Sequence, residues 1–121
     1  MKWFLIGAAG LHLLFMVAEL FPWSFPSLLR AASRKLPDGE PFTAAQQKLV
    51  ATVVHNAGIY NGIIGGGLLW AAFGGAPVAD VARVMLMGAF VAGVFGAVTL
   101  KSPVPAVQAA VGIIGLILIG I

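Results

Sequence analysis

The sequence predicts an all-α fold, an integral membrane four-helix bundle with short connections and one longer, basic, amphipathic connection. Three observations predict it. Only 9 % of the 121 residues are charged and 60 % are hydrophobic, too little charge for a single domain to cover itself in water. Apolar runs long enough for a hydrocarbon layer of ~30 Å recur along the chain. Between them stand short proline- and glycine-bearing breaks, Pro22, "GGAPVAD" and "KSPVP", which end helices. Cysteine is absent, which excludes disulfides, thiol catalysis and cysteine-bound metals.

The first span covers residues 3–21 and is closed by Pro22, with Trp23 at interfacial depth. Met1–Lys2 before an apolar run resembles a secretion signal, but the run is long and carries His12 and Glu19, so it is expected to stay uncleaved. The second span, 44–73, opens on "TAAQ", where Thr43 and Gln46 fit a capping box. Its length at ~1.5 Å per residue exceeds the membrane, so it tilts or projects into water. The third and fourth spans cover 81–100 and 105–121, and their short connections predict antiparallel neighbours. In the longer connection, 24–42, Leu28, Leu29, Ala32 and Leu36 lie to one side of Arg30, Arg34 and Lys35. Two readings stand there: a helix lying on the membrane surface, or a basic loop against anionic headgroups.

Charge sets the expected orientation. Arg30, Arg34, Lys35, Lys48 and Lys101 fall on one side, and Lys2 and Arg83 on the other. The positive-inside rule then puts the 24–42 connection in the cytoplasm and both termini outside. The net charge of +3 reads as orientation, with the lipid bilayer as partner and no nucleic acid.

The polar residues are unevenly placed. Glu19 lies about one turn inside the end of the first span, with His12 two turns deeper on the same face. Lys48, Thr52, Asn56 and Tyr60 follow at four-residue steps in the second span, and His55 lies seven residues after Lys48. Thr99 ends the third span and Gln108 begins the fourth at the same surface. All belong to one half of the bilayer. An intramembrane carboxylate costs ~2.5–3.5 kcal/mol unless partnered, so Glu19 requires a neighbour, and Lys48 is one candidate. Each residue also has a packing reading: Asn56 and Asn61 as interhelical glue, Tyr60 as a buried aromatic, each histidine as a core residue. Together they suggest a polar intramembrane pocket, with His12, Glu19 and Tyr60 as candidate catalytic residues. Lys48, Thr52, His55, Asn56, Asn61 and Gln108 are its candidate ligand-binding residues. Gly58, Gly62 and Gly66 form a small-residue stripe for close helix approach, with Gly93 and Gly96 of "GVFGAVT" as the expected counterpart.

"AELFPW", "NAGIYNG", "GVFGAVT" and Gln108 resemble, in order, motifs of a small bacterial membrane-protein family catalogued as domain-of-unknown-function family 1304. The resemblance covers nearly the whole chain. It implies four spans in the bacterial inner (cell) membrane and marks Glu19, Asn56, Tyr60, Asn61 and Gln108 as the family's polar positions. Two positions depart from its pattern: Ala57 where a glutamine is usual, and Val111 where a proline often stands.

The expected function is binding of a small amphipathic or apolar molecule in one leaflet, extending to its conversion by acid/base chemistry. The alternatives are a proton- or cation-coupled small-molecule transporter acting as a homo-oligomer, or a purely structural accessory membrane subunit. Whether the chain is an enzyme stays open. His12, Glu19 and His55 match no local metal-ligand motif, and "GGG" at 65–67 lacks the Lys-Ser/Thr of a phosphate loop, so neither metal nor cofactor is expected.

Overall fold

Four α-helices and no strand make up the residues described by a computed structural model of the chain, 1–21, 40–74, 78–100 and 103–121. They are α1 Lys2–Leu20, α2 Ala44–Phe73, α3 Val78–Leu100 and α4 Pro103–Ile119. The amphipathic stretch with Leu28, Leu29, Arg30, Ala32, Arg34, Lys35 and Leu36 lies outside the described residues, as do Trp23 and Lys101.

Local chemistry explains the helix ends. Thr43 caps α2: its Oγ1 accepts the Gln46 amide at 3.3 Å, and Gln46 Oε1 accepts the Thr43 amide at 2.8 Å. This reciprocal pair is the expected capping box. α3 begins three residues before the expected 81, because Asp80 sits within its first turn. A carboxylate is favoured at that end by the helix dipole, and here it accepts a hydrogen bond from Arg83 Nη1 at 2.9 Å. α4 begins at Pro103 rather than 105. Neither Pro103 nor Pro105 interrupts it, since first-turn residues need no intrahelical N–H donor. At its other end Gly120 adopts φ 78°. The Gly120 amide donates to Ile117 O at 3.2 Å and the Ile121 amide to Leu116 O at 3.3 Å, the paired bonds of a Schellman cap.

The chain divides into two compact units, Met1–His12 with Ile63–Ile121, and Leu13–Gly62. The first has an apolar cluster built from all four helices: Leu5, Ala8 and Ala9 of α1, Leu68 and Ala71 of α2, Ala82 and Leu86 of α3, and Leu116 of α4. Within it α3 and α4 are antiparallel. Gly93 abuts Pro105 and Ala109, whereas Gly112 abuts Leu86 and Phe90, so residue numbers rise along one helix as they fall along the other. In the second unit α1 packs on α2, with Met16 against Gly62, and Glu19 and Leu20 against Gly58.

These contacts correct the expected glycine pairing. Gly93 and Gly96 face α4 rather than α2, and Gly66 has no atom within 4 Å of the position its Cβ would take. The stripe is used at Gly58 and Gly62 only. The reason is rotational: a strict four-residue repeat advances 40° too far per step to stay under a straight neighbour, by roughly 80° over two steps.

Much of the surface is apolar. Trp3, Leu14, Trp70, Val91, Phe95, Val98, Ile117 and Leu118 are all exposed. Two helical stretches, Lys2–Leu20 and Ala79–Leu100, are long and apolar enough to cross a membrane, and only 22 % of each is buried. α4 is apolar but has 17 residues. α2 has 30, its hydrophobicity diluted by His55, Asn56, Tyr60, Asn61 and its glycines.

Candidate functional site

The second unit joins two of the singled-out residues. Glu19, in the last turn of α1, is half-buried, and its Oε2 accepts a hydrogen bond from Asn61 Nδ2 of α2 at 2.7 Å. Gly58 makes the meeting possible. It lies three residues before Asn61, hence on nearly the same face. A Cβ there would stand 3.2 Å from Glu19 Cβ and 3.3 Å from the Met16 carbonyl oxygen. Without a side chain at Gly58, α1 comes near enough for a short amide to reach the carboxylate. Asn61 is itself buried, so its orientation is held by packing as well as by the bond.

The geometry gives Glu19 one donor through one oxygen. An ionised carboxylate offers about four acceptor sites, and among the described residues it has no ion-pair partner. The candidate pairing with Lys48 is not made. Lys48 is exposed and lies thirteen residues before Asn61, roughly 20 Å along α2. Glu19 therefore retains acceptor capacity for a cation or a hydrogen-bond donor.

The other candidates are distributed. His12 is fully buried, in the first unit, next along α1 to the cluster residues Ala8 and Ala9. Gln108 is half-buried in the first unit, beside the Ala109 backbone that abuts Gly93. Lys48, Thr52, His55 and Asn56 are exposed, and Tyr60 is 61 % exposed. Thr52 Oγ1 donates to the Lys48 carbonyl at 3.0 Å, and Thr99 Oγ1 to the Phe95 carbonyl at 2.8 Å. Both hydroxyls are thus satisfied within their own helices, as serine and threonine commonly are. An open, almost wholly apolar depression beside Arg83, Val84, Met87, Leu116 and Ile121 includes none of the candidates. No group of three His, Asp or Glu that would hold a metal occurs among the described residues.

Glu19 and Asn61 were both visible in the sequence, but their partnership was not. The signal available was the shared face of Gly58 and Asn61: the residue beside a helix-contact glycine is the one that meets the neighbouring helix.

A family model described as "Protein of unknown function (DUF1304)" matches residues 6–120. The chain belongs to this family. An uncharacterised protein, YpaA, of Lactococcus lactis subsp. lactis (strain IL1403) is 31 % identical over 72 residues. That match covers 60 % of this chain and 60 % of the relative. No solved structure matches. The DUF1304 description carries no activity, so function rests on the site itself.

Proposed function

We propose that this chain is a four-span protein of the bacterial inner (cell) membrane with both termini outside. Within it, Glu19 and Asn61 form an intramembrane site that binds a small amphipathic molecule through an amine or hydroxyl head. The exposed apolar surface and the 22 % burial of the two longest apolar helical stretches support the membrane reading, because a soluble protein hides such helices in its core. The 17 residues of α4 reach roughly 25 Å, enough for a span when flanking residues complete it.

The observation that carries the binding reading is the half-buried Glu19 carboxylate, held by one neutral donor at 2.7 Å and without an ion-pair partner among the described residues. An intramembrane carboxylate is costly unless neutralised or partnered. A ligand cation or hydroxyl supplies the missing partner, and the surrounding apolar helices accept its tail. The competing reading is structural, with Glu19–Asn61 as an interhelical tie that specifies packing.

Reconstituted protein and a fluorescent lipophilic primary amine separate the two. Glu19→Gln keeps an acceptor oxygen for Asn61 and removes the charge. The binding reading expects an unchanged fold and affinity weakened about 10- to 100-fold, the worth of a charge-assisted hydrogen bond. Equal binding by both proteins would leave the structural reading in its place. Glu19-dependent dissipation of a pH gradient in the same proteoliposomes would make transport the leading function.

A further inference from the structure

We infer that α3 and α4 seat one phospholipid with a primary-amine head, of the phosphatidylethanolamine type. Its phosphate lies on Arg83, its ammonium on Asp80 and a stretch of one acyl chain in the apolar depression beside them. The inference rests on the membrane reading given above and is independent of Glu19.

The depression belongs to the first unit alone. Val84 and Met87 of α3, Leu116 of α4 and Ile121 just beyond it line the hollow together with Arg83, around a volume of about 320 Å³. That is the small end of ligand-sized cavities, room for part of one chain. Leu116 is buried beneath it, whereas Val84 and Met87 are exposed. In hydrocarbon such a hollow is filled by lipid, because lining atoms that face a void forfeit their dispersion contacts.

The order of groups along α3 matches the order along the lipid. Met87 and Val84 stand seven and four residues after Asp80, and Arg83 three, so all four share one side of the helix. They descend in sequence into the apolar stretch Ala79–Leu100. The carboxylate is outermost, the guanidinium is about one turn (roughly 4.5 Å) deeper, and the apolar hollow follows. In an ethanolamine phospholipid the ammonium is outermost and the phosphorus lies roughly 4–5 Å deeper, at ~1.5 Å per bond. The chains come next.

Neither ion is exhausted by its neighbour. Arg83 Nη1 donates to Asp80 Oδ1 at 2.9 Å, and a guanidinium has further N–H donors in a fork that suits phosphate oxygens. Asp80 accepts through Oδ1, and 79 % of its side chain is exposed, which leaves Oδ2 open to an ammonium. Charge complementarity then selects the head. A purely anionic head would set its phosphate beside Asp80 with no cation to offset the repulsion. A choline head has no N–H to donate to the carboxylate.

Native mass spectrometry of the full chain in detergent tests this, with ethanolamine, choline and glycerol phospholipids of identical acyl chains. The ethanolamine lipid should bind about 2- to 5-fold more tightly than either other, the worth of one exposed ion pair. Arg83→Gln should weaken all three about 3- to 10-fold, as expected for a charge-assisted hydrogen bond partly screened by water. Asp80→Asn keeps an acceptor for Arg83, and should abolish the preference without weakening the glycerol lipid. Val84→Trp fills the hollow and should weaken all three. Lys2→Gln removes one positive charge from a residue that lies over the Phe73 ring and does not line the hollow, so it should change nothing. Equal binding of the three lipids, a preference for the glycerol lipid, or a preference that survives Asp80→Asn would overturn the proposal. Alkaline carbonate extraction reports separately on the membrane reading. Chain that stays in the pellet yet binds the three lipids alike sinks this inference alone, and chain released to the supernatant sinks both.

Discussion

Replacing Gly112 by alanine tests how closely α3 and α4 are held. A Cβ at Gly112 would lie 2.5 Å from the Phe90 amide nitrogen and 2.7 Å from the Leu86 carbonyl oxygen, where ordinary contact begins at 3.4 Å. Both obstructing atoms are backbone, so no side-chain rotation relieves the clash and one helix must move. Inserting a methyl into such a contact costs about 1–3 kcal/mol. Alanine's better helix propensity offsets up to about 1 kcal/mol of that. Gly88→Ala is the matched control, on α3 with nothing within 4 Å of its Cβ position, so only the propensity gain applies. The two variants should differ by about 1–3 kcal/mol, with Gly112→Ala the weaker. Reversible unfolding of both proteins in one detergent, titrated with a denaturing detergent, measures the difference. Equal stability of the two would refute backbone-to-backbone packing of α3 on α4.

Two further substitutions test smaller features. Thr43→Ala removes the hydroxyl that accepts the Gln46 amide at 3.3 Å and keeps the Thr43 amide that donates to Gln46 Oε1, so about 1 kcal/mol should be lost, seen as faster amide exchange confined to the first turn of α2. Lys2 Nζ stands 4.5 Å from the Phe73 ring centroid, so Lys2→Ala should cost about 0.5–1 kcal/mol, and a double-mutant cycle with Phe73→Leu should show that the two losses are shared.

The helices were legible because their signals are local. Apolar run length, Pro22 and the Thr43–Gln46 box depend only on neighbours in sequence, and α2 starts and ends at the expected residues, 44 and 73. The early starts of α3 and α4 were missed where a turn-like residue also suits a first helical turn, Asp80 in one case and Pro103 in the other. Pairings between helices were less legible. Gly93 and Gly96 offer the same small surface to any neighbour, and their partnership with α4 over α2 is decided by the rotation of each helix, which composition does not encode. Glu19 shows the same limit. Depth alone grouped it with Lys48, Asn56 and Tyr60, but a hydrogen bond also needs the right face: Asn61 lies near the face of the Gly58 contact, whereas Asn56 and Tyr60 lie roughly 160° around the helix from it.

The proposed binding site requires Glu19 to lie in the membrane as a partly sheltered, reactive carboxyl group. Carbodiimide labelling of intact membranes, read by mass spectrometry, tests this directly. A lipid-soluble carbodiimide should modify Glu19, and a water-soluble one should modify the exposed carboxyls of Glu40 and Asp80 while sparing Glu19. Labelling of Glu19 by the water-soluble reagent as readily as Asp80 would place the carboxylate in water and contradict the account.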